Sequence, residues 1–221
     1  MNAVPATAAA GHGVPVHGHG AGHAAGLTEA HGHDASKRVV VGYGFWIFLI
    51  SDIILFAAFF ATYAVLTDSV ADGPGGKDLF DIGNVAIETA CLLTSSLFCG
   101  LAGIGAQARN NRLFHGAMAI TFVLGAAFLA LELREFADMV EHGFGPNRSA
   151  FLSAFFALIG CHGLHVTAGL LWLLTMMAQV MAKGYRADIL RRMLCFSLFW
   201  HTLDIIWVAL FSLVYLVGVS R

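Results

Sequence analysis

The sequence predicts an all-α, polytopic membrane protein of five transmembrane helices, and three observations carry that reading. Of its 221 residues, 58% are hydrophobic and only 12% are charged; with a mean hydropathy of +0.75, this is too apolar for an ordinary water-soluble domain. The apolar residues fall into five runs, each as long as the roughly 20 residues that a helix rising about 1.5 Å per residue needs to cross a bilayer. Between the runs lie polar or Gly/Pro-rich breaks through which no helix would continue. A net charge of −2 offers no basic surface, so no nucleic-acid partner is expected.

Residues 1–36 precede the first run. They are rich in Ala, Gly and His, including His12, His17, His19, His23, His31 and His33. Nothing there can bury a core, so a disordered tail is expected; a metal-storing tail is the sharper alternative, because neutral imidazole binds zinc, copper and nickel. No cleavable signal peptide is expected, since the first long apolar run follows Lys37 and Arg38. Residues 37–221 then form the five-helix transmembrane domain.

The first span covers about 43–66, anchored by Tyr43, Phe45 and Trp46 and interrupted by Asp52. A turn containing Gly73-Pro74-Gly75-Gly76 ends it. The second, about 84–106, carries Glu88 and then Ser96 and Gly100, small residues four apart that favour close helix contact. The third, about 113–140, holds Glu132, Arg134, Glu135 and Asp138; Arg134 and Asp138, at i and i+4, are placed to pair.

The fourth span, about 151–181, contains His162 and His165 near mid-depth, at i and i+3 on one face, while Gly160, Gly163, Thr167 and Gly169 leave room for another helix to approach closely. That face is expected to meet protein rather than lipid. The fifth, about 193–219, carries Trp200, His201 and Asp204, the last two again at i and i+3. Ionisable groups at such depth cost a few kcal/mol each, so they must be paired, neutral or turned to a hydrated interior.

The basic residues set the expected topology. Lys37, Arg38, Arg109, Arg112, Lys183, Arg186, Arg191 and Arg192 fall on one side, and only Lys77, Arg148 and Arg221 on the other. The positive-inside rule puts the N-terminus in the cytoplasm and the C-terminus outside. The four cysteines form no CxxC pair and read as reduced packing residues.

Spacing alone leaves three chemistries open. One of His162 or His165 with His201 would suit haem ligation between helices. Asp52, Glu88, Glu132, Glu135 and Asp204 would suit a proton or ion relay. Interhelical hydrogen bonding would use all of them with no chemistry at all. Zinc catalysis fits less well, because the His-x-x-His lacks a neighbouring acidic base.

A resemblance narrows the choice. Gly44-Phe45-Trp46 through Ser51-Asp52, Glu88 followed by Thr94-Ser95, Glu132 with Glu135, Ser153 to Phe156, Gly160 to Gly169 and Trp200-His201 to Trp207 appear in the order seen in subunit III of the haem-copper terminal oxidases. Five spans, the His-rich tail and the Gly73 to Asp78 loop resemble in particular the form in bacterial cytochrome bo-type ubiquinol oxidases. The resemblance implies an accessory subunit with no cofactor of its own. Haem, copper and ubiquinol would sit in other subunits of a complex with subunits I, II and IV, in the bacterial inner membrane with the C-terminus periplasmic.

It further implies a role in stabilising subunit I, holding phospholipid in a cleft between the first two helices and the last three, and supporting proton uptake. Asp52, Glu88, Glu132, Arg134, Glu135, His162, His165, Trp200, His201 and Asp204 are then buried polar, lipid or interface residues, with no catalytic or metal-binding ones among them. Subunit III of a cytochrome c oxidase is the nearest alternative. A proton-coupled transporter fits less well, for want of internal symmetry or a Gly/Pro break inside a span.

Overall fold

The computed structural model describes residues 37–67, 69 and 82–216, and these are helices joined by turns. The tail at 1–36, the Gly73 to Asp78 loop and Arg221 lie outside the described residues. Helix α1 is Lys37–Leu66, α2 is Ile82–Gln107, α3 is Asn111–Glu141, α4 is Ala150–Lys183 and α5 is Ala187–Leu210. A π-helical turn, Phe211–Leu216, extends α5. All five helices are long and apolar enough to cross a membrane.

Their ends run past the apolar runs because interfacial polar residues continue a helix readily. Thus α1 starts at Lys37 rather than near Tyr43, and α5 at Ala187 rather than near Met193. Local chemistry fixes the stops. The Asn110 side chain accepts a hydrogen bond from the Leu113 N–H to cap α3, and that of Ser149 accepts one from Leu152 to cap α4. Gly184 ends α4 at φ 68°, a conformation that glycine adopts without a Cβ clash.

The short turn between α2 and α3 forces a close approach. A Cβ at Gly105 would stand 2.9 Å from the Phe114 nitrogen, so glycine is what lets this antiparallel hairpin close. These two helices pack along their length, α4 packs against α1, α3 and α5, and α5 packs also against α1 and α2. The core between them holds Trp200, Trp207, Phe56, Phe114, Phe128 and Phe155.

The expected grouping of the first two helices against the last three is corrected here: α1 lies on α4 and α5, and α2 on α3 and α5. The reason is in the anchors. On α1, Phe56 packs on His162 and His165 of α4, and Phe45 meets Trp172 of the same helix. On α2, Ser95 and Thr89 take their hydrogen bonds from α5. Within the chain α1 is peripheral, with 11% of its apolar span buried against 56% for α5.

Candidate functional site

The polar side chains of the bundle interior gather around α4 and α5. The Trp200 indole lies in a notch of two glycines. A Cβ at Gly125 of α3 would be 3.0 Å from its ring, and one at Gly169 of α4 would be 2.9 Å from it. Its Nε1–H donates to Ser95 Oγ of α2 at 3.1 Å, and that hydroxyl donates in turn to the Leu92 carbonyl. One buried indole therefore ties α5 to three helices. About two turns further on, Trp207 Nε1–H donates to Thr89 Oγ1 at 3.0 Å.

His162 is fully buried and stacks on Trp207 with ring centroids 5.2 Å apart, while Phe128 and Phe56 meet its ring edge-on. Neither of its nitrogens has a hydrogen-bond partner among the described residues. His162→Phe is therefore expected to hold stability within about 1 kcal/mol, because removing an unpaired polar group offsets the strain of a larger ring. His162→Ala is expected to cost about 2–4 kcal/mol through the cavity it opens. Thermal unfolding of the detergent-solubilised protein checks both; an equal loss for Phe and Ala would mean that a ring nitrogen is in use.

His165 turns to α1. Its Nδ1–H donates to the Cys161 carbonyl at 2.7 Å, and Nε2 lies 3.7 Å from Asp52 Oδ2. The separation is longer than a direct hydrogen bond. This is a polar contact between α1 and α4, so Asp52→Leu is expected to cost about 1–2 kcal/mol, less than a fully buried pair would. Earlier cleavage of α1 in limited proteolysis, with α2 to α5 unchanged, is the expected readout.

On α5, His201 Nδ1 and Ser96 Oγ of α2 are 2.5 Å apart, and Asp204 Oδ2 lies 3.9 Å from the same nitrogen. Asp204 is buried, and its Oδ1 has no hydrogen-bond partner among the described residues. The three histidines thus serve different neighbours: His162 the aromatic core, His165 helix α1, and His201 helix α2.

The carboxylates form a separate group at the N-terminal end of α2 and the C-terminal end of α3. Glu88 and Glu132 are buried, and Glu132 presses on the α4 backbone, where a Cβ at Gly163 would be 2.9 Å from Oε1. Glu135 is half-buried within electrostatic reach of both. Arg134 is exposed at the rim of a pocket of about 470 Å³ that Glu88 and Glu135 also line. The expected Arg134–Asp138 pair does not form; Asp138 lies 3.6 Å from His142 instead, one turn further along. Among the described residues no group of three His, Cys, Asp or Glu side chains is placed to hold a metal ion.

Sequence reasoning missed Gly125, Thr89, Tyr63 and Tyr215. Tyr215 is buried within electrostatic reach of Glu88, Glu132, Glu135 and Tyr63. No local signal marks these residues, because each acquires its role only from a residue far away in the chain.

Fold and interior together define an integral membrane bundle of five helices, bound internally by aromatic and polar contacts. Residues 25–219 match the family described as cytochrome c oxidase subunit III. The chain is 50% identical to the cytochrome bo(3) ubiquinol oxidase subunit 3 of Pseudomonas aeruginosa, over 89% of this chain and 93% of that one. It is 49% identical to the protein of the same description in Pseudomonas putida, over 85% and 89%. It is also 41% identical to the cytochrome c oxidase subunit 3 of Bacillus sp. strain PS3, over 79% and 84%. The chain belongs to the cytochrome c oxidase subunit III family, the third subunit of the haem-copper oxidases.

Proposed function

We propose that this chain is the accessory third subunit of a bacterial cytochrome bo-type ubiquinol oxidase. It would stabilise the catalytic subunit, bind phospholipid and support proton uptake while that subunit oxidises quinol and reduces oxygen. The observation that carries the reading is half-identity to a ubiquinol oxidase subunit over nearly the full length of both chains. The interior agrees with a supporting part, since His162 and Trp200 are committed to packing between helices rather than to an open cavity.

In this reading the partners are subunits I, II and IV, and haem and copper belong to those partners. The bundle sits in the inner membrane with its N-terminus cytoplasmic and its C-terminus periplasmic, as the asymmetry of basic residues favours. Residues 1–36 form a cytoplasmic tail that assembly does not need. The polar residues from Asp52 to Asp204 named above act through packing, lipid contact or subunit contact.

The test is purification of the tagged chain from its native membrane in mild detergent, with a reduced-minus-oxidised spectrum and a subunit gel before and after partners are stripped. Haem signals should leave with a larger co-purifying polypeptide, and the stripped oxidase should lose activity over repeated turnovers. Haem retained by this chain alone would overturn the reading. The Bacillus relative supports a second version, in which the donor is cytochrome c. Oxygen uptake with ubiquinol and with reduced cytochrome c decides between them.

A further inference from the structure

The pocket at the far end of the α2/α3 hairpin gathers carboxyl groups with little to balance them. It has a volume of about 470 Å³ and lies where α2 begins and α3 ends, with Glu88, Glu135, Asp138 and Glu141 all in its lining. Among the described residues that line it, Arg134 is the one basic side chain, and it is exposed at the rim. Glu132 stands behind this wall, within electrostatic reach of Glu88 and Glu135. On the solvent side, His142 lies 3.6 Å from Asp138 in a contact that is mostly exposed.

The second observation is Glu88 itself. It is 1% exposed and lines the pocket, and its Oε2 has no hydrogen-bond partner among the described residues. A buried carboxyl oxygen without a donor is costly, and neighbours of like charge add to the cost. An occupant that carries positive charge and donates hydrogen bonds relieves both.

Geometry narrows the kind of cation. Direct coordination needs several protein ligands converging on one point, at about 2.0–2.6 Å for zinc or calcium. Among the described residues no three His, Cys, Asp or Glu side chains converge in that way. Magnesium gives up its water reluctantly and is commonly held by one or two carboxylates with most of its hydration shell in place. With Mg–O at about 2.1 Å and water of about 1.4 Å radius, the hydrated ion is a sphere of roughly 180 Å³, which the pocket admits. Its water hydrogens all point outward, so one hydrate can donate to carboxyl oxygens on α2 and α3 together, and Asn84 adds an amide oxygen to the same wall.

We infer that this pocket binds a magnesium-type divalent cation as its intact hydrate, held through water by Glu88 of α2 and by Glu135, Asp138 and Glu141 of α3. The ion would brace the open end of the α2/α3 hairpin. Such a site is additional to the accessory role proposed above.

The experiment takes the complex purified with the full-length chain, washes it with EDTA and titrates it with Mn²⁺, a paramagnetic stand-in for magnesium read by electron paramagnetic resonance. Mn²⁺ at the pocket should be displaced by Mg²⁺ and equally by hexaamminecobalt(III), an inert ion of similar size whose ammonia hydrogens do the work of water without direct coordination. Glu135→Gln should weaken the Mn²⁺ affinity about tenfold, the effect of one charge on a divalent ion about 6 Å away in water-like surroundings. Arg134→Gln, at an exposed position, should tighten it by the same reasoning with the sign reversed. A variant that merely damages the bundle would not bind more tightly, so the opposite signs separate a site from misfolding. Mn²⁺ that yields to Mg²⁺ but not to hexaamminecobalt(III) would show direct coordination and overturn the hydrate. Affinities unchanged in both variants would put the ion elsewhere in the complex and overturn the site. Displacement by ethylammonium as readily as by Mg²⁺ would overturn it too, since the pocket would then be an amine site.

Discussion

Trp200→Ala is expected to lower the stability of the bundle by about 3–5 kcal/mol, among the largest effects of any single substitution. The indole is buried, fills the notch at Gly125 and Gly169, and donates to Ser95. In a bilayer the loss is one of packing and hydrogen bonding rather than of transfer from water, since lipid is as apolar as the core. Alanine would leave a void bordered by three helices whose contact depends on that ring. Trp200→Phe keeps an aromatic ring but loses the N–H and part of the indole's volume, so a smaller loss of about 1–3 kcal/mol is expected; Ser95 Oγ still donates to the Leu92 carbonyl. Thermal unfolding of the detergent-solubilised oxidase separates the two. Equal losses for Ala and Phe would show that α3 and α4 collapse into the space.

The converse substitution, Gly169→Ala, is expected to cost about 1–3 kcal/mol by overpacking the same notch. The added carbon would stand 2.9 Å from Trp200 Cζ3 and 3.2 Å from Phe199 Cε1. Both are ring atoms with no flexible end to swing aside, so a helix has to move. Combining Gly169→Ala with Trp200→Phe should lose less than the sum of the two, because the smaller ring relieves the clash that the methyl creates. Strict additivity would mean that the methyl is accommodated elsewhere. Gly100→Ala provides the contrast: in the chain stripped of its partners it should be neutral or stabilising, since nothing lies within reach of its Cβ.

Much of the fold was legible in run lengths and breaks. Each span is a single apolar stretch, and hydropathy is summed over neighbours in the chain, so the five helices follow without tertiary information. The pairs His162/His165 and His201/Asp204 were visible for the same reason, because helical spacing places i and i+3 on one side. That rule does not say what the side faces. His162 and His165 share a helix, yet one is stacked in the aromatic core and the other meets Asp52. Arg134 and Asp138 have ideal spacing and do not pair, because Asp138 lies beside His142 while Arg134 is at the pocket rim.

The sequence by itself determined the five spans, the polar residues stranded within them and the family motifs that those residues form. Only the tertiary structure decided that α1 rests on α4 and α5 rather than on α2, that Gly125 and Gly169 hold Trp200, and that Ser96 serves His201. Helix formation in a membrane is compelled locally, since every backbone polar group must be satisfied within its own segment. Helix association has no such local rule. It turns on the fit of side chains such as Trp200 and Ser95, 105 residues apart, or Trp207 and Thr89, 118 apart. Shape at that range exists only once the helices have met.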